Sequence, residues 1–100
     1  MEDSIVALVL GMNLEKDNEI WVGDLLITLD KILNPTQTQI TVHGRFLTEQ
    51  KVINNMSYVS ITTDVKMMLG TDTNRDGFCR VLVEAPRSIT IDRGQKKRNG

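Results

Sequence analysis

Asp72, Asn74, Asp76 and Gly77 lie within the stretch TDTNRDGFCRV, residues 71–81. Their spacing is that of the first, third, fifth and sixth positions of a helix–loop–helix calcium site. Such a loop also needs an oxygen ligand at its ninth position, a bidentate glutamate at its twelfth and a helix on either side. Here the ninth residue is Arg80 and the twelfth is Val83. Glu84 comes one residue late, and on a strand that shift turns it to the opposite face. Apolar alternation starts directly after Gly77, and Asn, Asp and Gly are also the residues of a hairpin turn with positive φ. The segment therefore reads as a bend between strands, and neither a metal nor another cofactor is expected.

Other catalytic constellations do not assemble. His43 is the single histidine and stands beside Gly44, as a residue at a strand end would. No glycine-rich phosphate loop occurs, and no serine or cysteine has a partner for nucleophilic chemistry. Cys79 is the single cysteine, which excludes an internal disulfide; within an alternating apolar stretch it reads as a small core residue. The chain is not expected to be an enzyme.

Charge points elsewhere. The net charge is −1, but from Arg75 onward seven basic residues meet three acidic ones, an excess of +4 that leaves −5 on residues 1 to 74. Arg75, Arg80, Arg87, Arg93, Lys96, Lys97 and Arg98 carry that excess. Such polarity offers an anion-attracting face on a nearly neutral protein. Only Trp21, Phe46, Tyr58 and Phe78 are aromatic, too few for a base-stacking platform. No apolar run approaches the roughly 18 residues of a membrane span, and the start lacks the basic residues of a signal peptide. A soluble, cytoplasmic chain with no membrane partner is expected.

The elements that must position these cations alternate with period two, the pattern of half-buried strands. In VSITTDVKMML, Val59, Ile61, Val65, Met67 and Leu69 share one face with Thr63. FCRVLVEA places Cys79, Val81, Val83 and Ala85 together; SITIDR places Ile89 and Ile91, and TQITVHG places Ile40 and Val42. SIVALVL is apolar throughout, which suits a strand covered on both faces. GDLLITLDKILNP is ambiguous. Leu25, Leu26, Leu29, Ile32 and Leu33 fit a helix capped by Asp24 and stopped by Pro35, yet Leu25, Ile27 and Leu29 fit a strand. One hundred residues make one domain. The expectation is an all-β fold, a small antiparallel sandwich or barrel of about six to eight short strands, spanning residues 1–94 with a flexible basic tail at 95–100.

RVLVEAPRSITIDRG, residues 80–94, resembles the end of the carbon storage regulator family (CsrA/RsmA), small proteins that bind messenger RNA and repress translation. That family closes with a strand, an Ala-Pro turn and a last strand of the form A-P-x-x-[VI]-x-[VI]-x-R, matched by Ala85, Pro86, Ile89, Ile91 and Arg93. DVKMMLGTDTNRDGFCRVLVEAP looks like its central hairpin with a longer turn. IWVGDLLITL is similar to its apolar-I-G-D segment. Setting GDLLITL over TDVKMML aligns Asp24 with Asp64 and Leu29 with Leu69, which favours the strand reading of Leu25 to Leu29. Because family members are intertwined dimers, the resemblance implies either a fused pseudo-dimer, with repeats at 1–44 and 45–94, or a homodimer of one copy interrupted around residues 30 to 58.

The resemblance also implies a partner, single-stranded or hairpin-loop RNA. The binding residues carried over are Ala85, Pro86, Arg87, Ser88, Ile89, Ile91 and Arg93, with Lys96, Lys97 and Arg98 of the tail adding attraction. Edge-strand backbone groups from Ser88 to Arg93 would meet base edges while Arg93 meets phosphate or guanine. The family's first strand carries a Thr-Arg-Arg element, which neither LVLGM (Leu8 to Met12) nor LTEQK (Leu47 to Lys51) supplies. Gly94 replaces the glutamate that usually follows the last arginine. The first repeat lacks the Ala-Pro-to-Arg ending. These departures leave open a protein-binding module or inhibitor of the same fold that has lost RNA readout.

Overall fold

Residues 5–71 and 77–93 are described by a computed structural model of the chain. They form nine strands and, among the described residues, no helix: β1 (Ile5–Asn13), β2 (Glu19–Val22), β3 (Leu25–Asn34), β4 (Gln37–His43), β5 (Thr48–Asn54), β6 (Val59–Ser60), β7 (Lys66–Thr71), β8 (Phe78–Pro86) and β9 (Ile91–Arg93). Two antiparallel sheets result, one in the order β1-β8-β7-β6 and the other in the order β5-β4-β3-β2-β9. Period-two alternation supplies the core between them. Ile20, Val22, Ile27, Leu29, Ile40, Val42 and Ile53 come from the five-stranded sheet; Met12, Val65, Met67, Leu69, Cys79, Val81, Val83 and Ala85 come from the four-stranded side.

The ambiguous segment is a strand, β3, running to Asn34. Its helical spacing is outweighed because β2 and β4 pair with it on both sides, so Ile27 and Leu29 face inward and are fully buried. Two expectations are corrected. SIVALVL is not covered on both faces: β1 is the terminal strand of its sheet and turns Ile5 and Val9 outward, 63% and 68% exposed. VSITTDVKMML is not one strand but a hairpin, because Ile61 and Thr62 both donate their N–H to the Val65 carbonyl and leave Thr63 exposed in the turn. Of the opening motif, residues 72–76 lie outside the described residues; Gly77 has a φ of 73°, the left-handed conformation glycine adopts without strain.

The sheets follow one plan twice. In the β1–β8 ladder Asn13 faces Phe78 and Met12 faces Cys79; in the β5–β4 ladder Asn54 faces Gln37 and Ile53 faces Thr38, so each position moves by 41. Bonds outside the ladders repeat with the same offset. Leu14 N–H donates to Gly77 O (2.8 Å) and Asn55 N–H to Thr36 O (2.6 Å); Lys16 N–H donates to Asn13 O and Ser57 N–H to Asn54 O, both 3.1 Å. Leu29 on β3 and Leu69 on β7 are equivalent with an offset of 40, since Leu29 faces Ile40 and Leu69 faces Val81. The first strand of each half is exchanged: β1 sits beside β8, and β5 sits beside β4. Half a chain this short has little surface to bury by itself, and exchanging strands makes one core of two.

At the centre of this arrangement Thr38 and Cys79 occupy equivalent positions and are both buried. Burial pushes the Cys79 thiol above its ordinary pKa, while a hydrogen bond with Thr38 pulls the other way and is the smaller effect. The expected result is a thiol inert to 5,5′-dithiobis(2-nitrobenzoate) in the native protein and stoichiometrically reactive in urea. Because the folded pKa is raised, the thiol's contribution is intact below the free-thiol value of about 8.5. It is lost as pH climbs from there through the folded pKa, which urea titrations across that range measure. Rapid native labelling at neutral pH would contradict the assignment.

Candidate nucleic-acid interface

The chain passes from one sheet to the other between β8 and β9. Pro86 ends β8, Arg87 and Ser88 make an exposed turn, and Ile89 N–H donates to Pro86 O at 3.0 Å. Gly23 N–H then donates to Thr90 O at 2.8 Å, and β9 continues antiparallel to β2 with Ile91 facing Val22 and Arg93 facing Ile20. Only one flank of β9 is laddered. It is the terminal strand of its sheet, and its other flank faces the margin that it shares with β1, the terminal strand of the opposite sheet.

Arg93 ties these two strands together. Its Nη1 donates to the Gly11 carbonyl at 2.8 Å and its Nε lies 3.6 Å from Asp17 Oδ2. The side chains are 43% and 33% exposed, so the ion pair is solvent-screened and contributes on the order of 0–1 kcal/mol. Asp17 is fixed by its own N–H donating to Asn13 O at 2.8 Å, and its Oδ1 is buried without a hydrogen-bond partner among the described residues. The guanidinium is thus held at the margin with a carboxylate as competitor for any phosphate. Arg80 faces Gly11 in the β1–β8 register and is exposed, which brings a second arginine to the same end of the margin.

Gly11 is demanded by its neighbour. A Cβ at this position would lie 2.8 Å from Phe78 Cζ, too close for the ring to stay in place. Gly11→Ala is expected to lower stability by about 1–2 kcal/mol, as overpacking does, and to shift the carbonyl that holds Arg93. Urea denaturation measures the first effect. An unchanged midpoint would mean that the ring swings aside freely.

The residues carried over from the resemblance divide into groups. Arg87, Ser88, Ile89, Ile91 and Arg93 follow one another along the margin, with Arg87, Ser88 and Arg93 exposed and the isoleucines half-buried. Ser88 and Ile89 also line an open cleft of about 580 Å³ with the β2–β3 turn, Thr62 and Val65. Ala85 is different: it is fully buried and faces Val6, so its side chain belongs to the core. Pro86 is half-buried opposite Ile5. Lys96, Lys97 and Arg98 lie outside the described residues. Gly11, Asp17 and the place of Arg80 beside Gly11 were not foreseen, since Gly11 and Arg93 stand 82 positions apart and no local pattern couples them.

His43 ends β4 half-buried, with Nε2 3.5 Å from Thr28 Oγ1. Asp30 accepts from Thr28, Gln39 and Thr41 rather than from the histidine, so these residues form a polar sheet surface and not a relay. Among the described residues no group of His, Cys, Asp and Glu is arranged to hold a metal ion, and no helix is long and apolar enough to cross a membrane.

Fold and margin together define a two-sheet antiparallel sandwich with exchanged first strands and an arginine-bridged margin. No protein-family model, curated protein or solved structure matches the chain.

Proposed function

We propose that the chain is a carbon-storage-regulator-like protein that binds single-stranded or hairpin-loop RNA along the β1/β9 margin and so regulates translation or stability of messenger RNA. The observation that carries this reading is the unladdered flank of β9, where ladder alternation turns the backbone groups of Ile91 and Arg93 away from β2, with the Arg93 guanidinium beside them and Arg87 exposed in the turn before. Base edges are met by such backbone groups, and phosphates by the arginines. The plan repeated 41 residues apart, with its exchanged strands, supports reading the chain as an intertwined pseudo-dimer; a monomer by light scattering is the expected solution mass.

The test is a titration with an RNA hairpin carrying a GGA loop, against the same hairpin with the loop scrambled. Arg93→Ala is expected to weaken the GGA hairpin by about 10- to 100-fold, the effect of losing a bidentate contact. Affinity falls with salt in proportion to the phosphates neutralised. Binding that is micromolar or weaker and indifferent to loop sequence and to Arg93 rejects the proposal.

A second reading is a protein-binding module of the same fold. Its support is specific: Arg93 is engaged by Asp17, and β1 contains no arginine to replace the missing pair. A pull-down that survives ribonuclease, together with no response to the hairpin, selects it.

A further inference from the structure

The repeated plan leaves one position unfilled. In the five-stranded sheet β9 lies along β2, and the strand that corresponds to β2 in the other sheet is β6: the β2–β3 pair Trp21↔Leu26 becomes Ser60↔Lys66 with offsets of 39 and 40. No strand lies beyond β6 among the described residues. The burial of equivalent side chains records the difference. Ile20 and Val22 on β2 are 0% and 2% exposed, whereas Val59 and Ile61, their equivalents, are only partly buried against the same core.

The backbone at this edge points outward. Ile61 N–H donates to Val65 O, so by the alternation of antiparallel ladders the N–H and C=O of Ser60 are directed away from β7. They have no partner among the described residues. Trp21, the equivalent of Ser60, is the residue that faces Asp92 of β9.

We propose that the free edge of β6 is the acceptor site for one extended segment of a partner protein, docked antiparallel as β9 is on β2, with aliphatic side chains at alternate positions. The aliphatic requirement follows from Val59 and Ile61, which the segment covers as Ile91 helps cover Val22. Its other side is polar, because Glu49 and Lys51 on β5 stand where Leu8 and Leu10 stand on β1, at the strand that flanks this margin. Residues 94–100, which follow β9, contain no aliphatic side chain and do not match this requirement. Two copies pairing through β6 would set one two-residue strand against another, whereas a longer extended segment also runs past Ser60 to cover Ile61. Addition of a strand to an open edge is an established mode of peptide recognition, the ladder giving affinity and alternate side chains giving selectivity.

The test uses the full chain and a synthetic peptide of the sequence Arg87–Arg93, the segment that fits β2. In amide-resolved NMR titration the expected outcome is saturable 1:1 binding with shifts at Tyr58, Ser60 and Ile61. A peptide with both isoleucines replaced by serine is expected to bind at least tenfold more weakly. Ser60→Pro removes the outward N–H without breaking a bond to β7 and is expected to abolish binding; its fold is checked by circular dichroism, and the wild-type shift map decides alone if it unfolds. The peptide titration is made without RNA, because Thr62 and Val65 beside this edge share an open cleft with Ser88 and Ile89 of the RNA margin. Shifts confined to Trp21 and Val22, or no saturable binding at millimolar peptide, overturn the proposal. So does a concentration-dependent dimer that Ser60→Pro dissolves, which gives the edge to a second copy.

Discussion

Leu29→Ala and Leu69→Ala are each expected to lower the free energy of unfolding by about 2–5 kcal/mol, and to do so by amounts within roughly 1 kcal/mol of each other. Both side chains are sealed in the core, 0% and 1% exposed, on inner strands of their sheets. Truncation removes three carbons and leaves a cavity whose cost depends on how far its walls collapse. The near-equality comes from the repeated plan: Leu29 lies across from Ile40 and Leu69 from Val81, equivalent partners in equivalent ladders. Surface substitutions give no such pairing of effects. Urea midpoints of the two variants measure it, with slopes compared to confirm that the unfolded states match. A gap above about 2 kcal/mol would mean that the repeat extends to the ladders but not to the packing between them.

What the sequence disclosed is the facing of side chains, and what it concealed is adjacency. FCRVLVEA shows why the first is legible. Cys79, Val81, Val83 and Ala85 alternate with more exposed residues, and every one of them is fully buried. The choice for β3 was decided by setting Leu29 over Leu69 and not by propensity, which was evenly divided between helix and strand. SIVALVL misled because a strand buried on both faces and an apolar edge strand have the same letters; only the identity of the neighbouring strand separates them. VSITTDVKMML misled for a related reason, since alternation runs through a tight hairpin without losing phase, Val59 and Ile61 facing the same core as Val65 and Met67. LTEQK entered only as a possible counterpart of the family's first strand and not through alternation, because in β5 Glu49 and Lys51 alternate in phase with Ile53, charges that an edge strand tolerates and a central strand does not.

The same distinction governs the candidate site. Arg87, Ser88 and Arg93 were named from a local resemblance, and they do lie along one margin. Their partners were not legible. Gly11 is glycine because the Phe78 ring occupies the space above it, and it thereby keeps a bare carbonyl for Arg93. A glycine on an apolar strand signals close approach of some group but not which one. Asp17 reaches the same arginine from a turn held by Asn13, whose Oδ1 accepts the Glu15 N–H. The margins are therefore unequal in kind: one carries β9 and an arginine bridge to β1, and the other ends at β6. That inequality separates the RNA proposal, which needs Arg93, from the strand-acceptor proposal, which needs the outward backbone of Ser60.

Removing β9 tests this separation with the second-largest effect. A chain ended after Ser88 loses Ile89 and Ile91, half-buried and worth about 1–1.5 kcal/mol each by area. It also loses the ladder to β2, including Gly23 N–H to Thr90 O, at about 1 kcal/mol per bond. The expected destabilisation is about 3–5 kcal/mol, a large share of the roughly 5–15 kcal/mol of an ordinary domain. The truncated chain nevertheless stays folded, because β6 already shows that a sheet of this sandwich persists without a strand in that position. Ile20 and Val22 become partly exposed, as Val59 and Ile61 already are, and the denaturant slope falls with the smaller surface sealed in the native state. Response to the GGA hairpin disappears with Arg93, while NMR shifts of Tyr58, Ser60 and Ile61 on adding the Arg87–Arg93 peptide persist, joined by new shifts at Trp21 and Val22 as the same peptide fills the vacated place. Loss of the β6 shifts along with the hairpin response would show that the two margins act as one surface.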